Sequence, residues 1–352
     1  MIQNDRLLRV LSGKAVDQTP VWLMRQAGRY LPEYRELREQ AGSFWALCKT
    51  PDFAAEAAMQ PIRRFDLDAA ILFSDILTIP DAMGLDIQFI EKQGPVFSKP
   101  LHNQSDINAL PQADMAKLAY VFDAIKTTKK RLDNQIPLIG FSGSPYTLAC
   151  YMTEGQSSRD FLKIRRLIAT DPTLARQLLE KISQSIIDYL TEQVKAGADI
   201  LMIFDTWGGL LDPDSYLHFS LHYLKHIVDG VKKVVDVPIL LYAKGAHQHA
   251  VSIANARLDG IGIDWTADLA SIRHMLSDNR ICLQGNLDPA LLAASKETIY
   301  DKVHQMMTSV DLSRHIANLG HGIYPDTPPE GVQHFVDAVR RFSSARFSGQ
   351  SF

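Results

Sequence analysis

Hydrophobic and polar positions along this chain fall in blocks. Short, nearly uninterrupted apolar runs recur at Val21–Met24, Asp68–Phe73, Pro137–Ser142, Asp199–Phe204, Val237–Tyr242, Gly260–Asp264, Arg280–Gln284 and Ile316–Leu319. Each ends abruptly in polar or glycine-containing residues. Continuous apolar character, without alternation, is expected of parallel strands covered on both faces. Between the runs lie stretches with helical periodicity. A short amphipathic helix is predicted over residues 4–12, capped by Asn4 and stopped at Gly13, and another from Thr50-Pro51 to about Phe65. Further helices are predicted over 113–134, from Pro145 through Tyr151, and over 171–196 between Pro172 and Gly197. The same pattern recurs over 213–234, 247–257, 267–277 and 289–309. A last helix opens at Pro328-Pro329-Glu330 and runs to about Phe342, before a flexible Ser/Arg/Gly tail from about residue 345. One interruption stands out: Leu85–Ile90 and Pro95–Phe97 flank Glu91-Lys92-Gln93-Gly94, which predicts a hairpin overhanging whatever lies beside Asp75.

Eight apolar runs alternating with helical segments predict an α/β protein, a single (β/α)8 barrel of the TIM type spanning residues 1–352 with its cleft at the C-terminal mouth. The competing architecture is a doubly wound open sheet. It calls for a glycine-rich dinucleotide fingerprint after an early strand, and G-x-G-x-x-G is absent after Phe73 and after Ser142. Composition then narrows the class. With 46% hydrophobic and 22% charged residues and a net charge of -3, nothing favours nucleic-acid binding or a basic membrane-binding face. No apolar run reaches membrane-spanning length, and no secretory signal opens the chain. The three cysteines, Cys48, Cys150 and Cys282, have no metal-like or disulfide-like spacing. These features predict a cytoplasmic protein.

In such a barrel the residues just past the strand ends meet at one mouth. Here they are Arg25, Gln26 and Arg29; Asp75; Gly143 with Tyr151 on its helix; Thr206; Lys244; Asp264; Asn286; and His321. Two guanidiniums four residues apart form a rigid, bidentate device for carboxylate or phosphate. Because net charge gives no attraction, an anionic ligand must be drawn by this local cluster. Each residue also has a structural reading. Asp75 suits a helix cap, Tyr151 a core tyrosine, Thr206 a turn hydroxyl, and His321 a turn between glycines. Their conjunction favours a site for a polyanionic organic molecule. His247 and His249 lack zinc-ligand spacing, and no P-loop or G-x-S-x-G elbow is present.

Several blocks carry a resemblance. P-V-W-L-M-R-Q-A-G-R-Y-L-P-E-Y-R-E (Pro20–Glu36) and G-F-S-G-S-P-Y-T-L-A-C-Y-M (Gly140–Met152) are similar to the two signatures of the uroporphyrinogen decarboxylase family. F-S-D-I-L, F-D-T-W-G-G, Y-A-K-G, Q-G-N-L-D-P and G-H-G-I-Y-P-D-T-P match further family blocks in order, so the resemblance covers essentially the whole chain. It implies a homodimeric barrel enzyme that works without a cofactor and removes the acetate carboxyls of uroporphyrinogen in haem synthesis. Carried over by motif, substrate binding falls on Arg25, Gln26, Ala27, Gly28, Arg29, Asp75, Tyr151, Thr206 and His321. Catalysis falls on Asp75, Arg25, Arg29, Tyr151 and His321. In this reading Asp75 stabilises a protonated pyrrole and the arginines hold substrate carboxylates. The corrinoid-dependent methyltransferases share this barrel but bind zinc through a His and a Cys near Y-A-K-G, where this chain has Tyr242 and Lys244. A carboxylate-binding protein without catalysis is the other alternative. It has use for Arg25 and Arg29 but none for Asp75.

Overall fold

A computed structural model describes residues 2–90, 93–276 and 281–347. Among these residues nine strands form: β1 (Ala70–Ile71), β2 (Ile87–Ile90), β3 (Gly94–Phe97), β4 (Leu138–Gly143), β5 (Ile200–Asp205), β6 (Ile239–Ala243), β7 (Gly260–Gly262), β8 (Cys282–Leu287) and β9 (His315–Leu319). Seven of them form one parallel sheet in the order β1-β4-β5-β6-β7-β8-β9, and β2 and β3 form the separate antiparallel hairpin. Strand order never reverses along the sheet, so the topological switch of a doubly wound fold is absent. The sheet curls with its helices outside. β4, β6, β7 and β9 are buried at every position, as their uninterrupted apolar runs require.

The predicted first strand is reduced to a single parallel bridge, Val21 to Ala317. Val21 nonetheless touches both edges of the sheet. The Pro20 carbonyl accepts from Ala317 N–H on β9 (2.9 Å), and the Val21 carbonyl accepts from Asp68 N–H just before β1 (2.8 Å). Pro20 has no N–H to continue a ladder, and side chains take the neighbouring donors. Asp68 Oδ2 accepts the Val21 N–H (2.7 Å), and Asn318 Oδ1 accepts the Met24 N–H (3.2 Å). The second predicted strand is also cut short, because the chain leaves the sheet after Leu72. Ile139 still pairs on that side, through the Leu72 N–H (2.9 Å). Two residues on, Phe141 faces the same vacated side, and buried Gln193 satisfies both its N–H and its carbonyl (2.9 Å each).

Helices at Pro32–Ala41, Phe44–Lys49, Thr78–Ala82, Gln104–Ala109 and Leu162–Thr170 are additional to those predicted. Only Tyr34 and Leu37 of Pro32–Ala41 are buried, too narrow a stripe to read from the sequence. The hairpin forms as predicted, although residues 91 and 92 of its turn lie outside the described residues. Trp45 Nε1 donates to the Ile87 carbonyl (3.0 Å), and Phe44 packs on both Phe89 and Phe73 at 4.7 and 6.2 Å between centroids. The hairpin is thereby held beside the loop that carries Asp75. The first helix is Arg6–Leu11, with Asp5 rather than Asn4 at its cap. The last runs from Pro329 to Phe347, past its predicted end; residues 348–352 of the expected tail and Arg280 of the seventh run lie outside the described residues. No described helix is long and apolar enough to cross a membrane.

Asp68 therefore does the work of a missing strand. Besides the Val21 N–H, its buried carboxylate accepts from Asn4 Nδ2 (2.9 Å) and Arg6 Nη1 (3.2 Å), and it pairs with Arg340 Nη1 (2.8 Å) in the last helix. Removing one partner of a buried charge network leaves the others uncompensated, at about 3–5 kcal/mol. Asp68→Ala should lose that much stability in urea unfolding, with Asp68→Asn intermediate; a change below about 1 kcal/mol for the alanine variant would contradict this role.

Candidate active site

The loop after Met24 is a turn closed by Gln26 N–H to the Leu23 carbonyl (3.0 Å), with Arg25 at its third position and φ of 60°. A side chain rarely adopts this left-handed conformation unless surrounding structure enforces it. The buried Gln26 side chain supplies the enforcement. Its Oε1 accepts the Leu23 N–H (3.1 Å), its Nε2 donates to the Ala69 carbonyl (3.2 Å), and Tyr30 hydroxyl donates to the Gln26 carbonyl (2.8 Å). The resemblance implies a substrate contact at Gln26, whereas its side chain is committed to backbone, at Leu23 within the loop and at Ala69 beside β1. The N–H groups of Ala27, Gly28 and Arg29 meet no acceptor among the described residues, so the loop presents backbone donors as well as guanidiniums. Arg25 and Arg29 are exposed, and neither forms an ion pair within the described residues.

The loop is coupled to the one after β9. Ile323 N–H donates to the Met24 carbonyl (3.0 Å). A Cβ on Gly322 would stand 2.4 Å from Arg25 Cδ, and one on Gly320 would stand 2.2 Å from Trp265 N. The two glycines around His321 thus make room for Arg25 and Trp265. His321 lies nearly parallel to Tyr242 and to Trp265, at 5.9 and 6.0 Å between ring centroids. The buried Tyr242 hydroxyl donates its one proton to the Gly320 carbonyl (2.8 Å), which leaves its oxygen to accept from His321 Nδ1–H (3.2 Å). That arrangement selects the neutral tautomer with Nε2 free as an acceptor. Burial, helped by the charges of Arg25 and Lys244, brings the His321 pKa down to about 4, so the ring is neutral at physiological pH.

Asp75 lies in the loop beyond β1, where its Oδ1 accepts the Leu77 N–H (2.8 Å). It is not the cap of the Thr78–Ala82 helix, and no cation among the described residues lies within ion-pair distance of it. Burial raises its pKa to about 6, against the opposing pull of the Leu77 N–H and the Arg25 charge. Tyr151, half-buried in the helix Pro145–Glu154, packs edge-on against Phe161 at 5.2 Å. Burial raises its pKa, and the charges of Asp75 and Arg25 both reach it.

Asp205, at the end of β5, had no role in the sequence reading. It is fully buried and accepts from Ser144 Oγ (2.6 Å), Ser220 Oγ (2.8 Å) and Thr147 Oγ1 (3.4 Å). Ser144 caps the helix that carries Tyr151, so Asp205 ties that helix to the Thr206–Trp207 loop. Thr206, half-buried, is the first residue past the end of the strand. Its hydroxyl makes no hydrogen bond among the described residues. A buried hydroxyl-ringed carboxylate leaves no trace in sequence spacing, because Ser144 and Ser220 lie far from it along the chain. Asn286 is structural: its Nδ2 donates to the Asp264 and Ala267 carbonyls at 2.8 Å each. His249 stacks on Tyr216 at 4.5 Å, and no group of three or more His, Cys, Asp or Glu among the described residues is placed to hold a metal ion.

The family model described as uroporphyrinogen decarboxylase (URO-D) matches residues 2–342. The uroporphyrinogen decarboxylase of Tolumonas auensis is 51% identical over 348 residues, covering 97% of this chain and 98% of the relative. That of Coxiella burnetii is 51% identical over 348 residues, covering 97% and 96%. Among solved structures, a methyltransferase from Methanosarcina mazei superposes with a TM-score of 0.81 at 22% identity, covering 97% of this chain and 99% of its own, a likeness of fold.

The turn at Arg25 yields a test that separates stability from chemistry. Arg25→Gly relieves a left-handed conformation that costs a side chain of order 1 kcal/mol, while removing the guanidinium. The variant should melt at or above the parent temperature and yet lose at least tenfold in kcat/KM. A variant that melts lower and keeps its activity would contradict the assignment.

Proposed function

The chain belongs to the uroporphyrinogen decarboxylase family, and from that membership we propose how its mouth performs the reaction. The protein is a carboxy-lyase that removes the four acetate carboxyls of uroporphyrinogen III as CO2, giving coproporphyrinogen III for porphyrin and haem synthesis. Breaking the bond to each carboxyl leaves an electron pair on the remaining methylene. A pyrrole protonated on ring carbon accepts that pair, so the substrate supplies its own electron sink. After CO2 departs, the exocyclic carbon takes a proton to become methyl and the ring proton is released. Asp75 faces the pyrrole N–H groups and stabilises the cation. Arg25 and Arg29, with the free N–H groups of Ala27 and Gly28, hold side-chain carboxylates. Tyr151, Thr206 and neutral His321 line the macrocycle, His321 offering Nε2 as an acceptor. The observation that carries this reading is a charge pattern: Asp75, a carboxylate within reach of the Arg25 charge, has no cation at ion-pair distance among the described residues, and neither Arg25 nor Arg29 has a carboxylate partner there. Each lacks its counterion until a molecule that is cationic at its centre and anionic at its rim is bound.

We extend the proposal to a cytoplasmic homodimer that needs no cofactor. The family resemblance supports the dimer, the composition supports the compartment, and the electron sink within the substrate removes the need for an external one.

The pH dependence follows from the shifts. Asp75 must be ionised to face a pyrrole cation, so kcat/KM should fall below about pH 6 with a single-proton limb. His321, with a pKa of about 4, contributes nothing to that limb. Asp75→Asn should lose the limb and about 10²–10³ in rate, whereas Asp75→Glu retains part of both. For stability the sign is opposite to that of a salt-bridged acid. The folded pKa lies above the unfolded one, so ionising Asp75 destabilises the fold as pH rises through about 6. Asp75→Asn should therefore melt no lower than the parent at pH 7, its amide oxygen keeping the Leu77 N–H. Turnover of uroporphyrinogen by the asparagine variant at the parent rate would remove Asp75 from the mechanism.

A further inference from the structure

Lys244 follows the last residue of β6, the central strand of the sheet whose edges meet at Val21. It therefore stands across the mouth from the arginine loop. Its backbone is fixed from beneath. Gly245 N–H donates to Asp264 Oδ2 (2.5 Å), and Asp264, buried, is itself held by the Thr266 N–H (2.8 Å). The ammonium lies between two indoles, 5.6 Å from the ring centroid of Trp207 and 5.6 Å from that of Trp265. These rings hold a cation, but they supply no full negative charge.

Partly buried lysines usually have a partner. Lys129 and Lys232 each hold a carboxylate, at 2.7 and 2.8 Å, and Lys181 donates to three backbone carbonyls at 2.9 Å. Lys244 Nζ makes neither an ion pair nor a hydrogen bond among the described residues. The same wall carries a second donor, Trp207 Nε1, which is buried and turned toward the Tyr151 hydroxyl without a close hydrogen bond among the described residues. An ammonium flanked by two indoles, with no counterion among the described residues, is placed to take an anionic acceptor from outside the chain.

We propose that Lys244 is a substrate-positioning group: its ammonium, clamped by Trp207 and Trp265, binds a side-chain carboxylate on the rim of the macrocycle opposite the one held by Arg25 and Arg29. The inference rests on the decarboxylase reading, since a macrocycle carrying carboxylates around its whole rim needs cations on facing walls. Trp265 packs on both Lys244 and His321, and Gly322, next to His321, packs on Arg25, so the two anchors share the wall that carries the imidazole.

The test compares the full-length parent with Lys244→Met, which keeps the stem between the indoles, and Lys244→Arg, which keeps the charge. Initial rates with uroporphyrinogen are measured anaerobically at several salt concentrations, together with thermal melts. Lys244→Met should raise KM about tenfold, the loss expected for one charge-assisted hydrogen bond, with kcat changed less than twofold and the melt preserved. It should also weaken the salt dependence of kcat/KM, and Lys244→Arg should restore most of both. An unchanged KM in the methionine variant overturns the proposal. So does a loss confined to kcat, or a loss that tracks a lowered melt and is not rescued by arginine. If the parent itself fails to turn over uroporphyrinogen, the decarboxylase reading fails instead.

Discussion

The buried carboxylate of Asp68 is what allows this sheet to close where it has no regular strand. A ring of parallel strands normally satisfies each edge with the next ladder. Here the chain between the two edges contributes one bridge at Val21. Asp68 takes the Val21 N–H and draws in Asn4, Arg6 and Arg340, so both ends of the chain converge on the weakest place in the sheet. Asn318 and Gln193 make similar substitutions on either side, for Met24 and Phe141. Side chains do there what backbone does elsewhere.

That substitution has a functional consequence. A regular strand holds its residues in the ladder to its end. By leaving the ladder early, the chain can turn at Arg25 with φ of 60° and swing out at Phe73 to carry Asp75 beside it. The irregular strands and the chemically important loops are adjacent because one permits the other. The local cost is confined to a turn that Gln26 and Tyr30 over-determine, in keeping with strain gathering where function needs an unusual geometry. The same economy governs charge. Lys129 is matched with Asp199 and Arg340 with Asp66, whereas Arg25, Arg29 and Lys244 have no carboxylate partner among the described residues and Asp75 is raised toward neutrality. Charges whose partner arrives with the ligand need no reorganisation when it binds.

Much of this was legible in the apolar runs. Six of the eight, from Pro137 onward, coincide with strands of the sheet, because a strand buried on both faces has no polar position to blur it. The two that shortened are the two whose neighbours supply side-chain hydrogen bonds, and such bonds span long separations that no window of sequence registers. The candidate site was legible for a related reason: Arg25, Asp75, Thr206 and His321 each stand within two residues of the end of an apolar run, so chain order alone brings them to one end of the sheet. Gln26 shows where that reasoning reaches its limit, since position in a motif does not say which way a side chain points.

By itself, the sequence determined the layered α/β architecture, the sense in which strands and helices alternate, and the residues that meet at the mouth. These follow from local periodicity and chain order. Tertiary structure decided what each of those residues is free to do. It committed Gln26 and Asn286 to backbone, set the His321 tautomer through Tyr242 and Gly320, buried Asp205 among hydroxyls, and left Lys244 between two indoles with no counterion among the described residues. The physical reason is that hydrogen-bond satisfaction and desolvation depend on every group within a few ångströms in space, and most of those groups are distant along the chain.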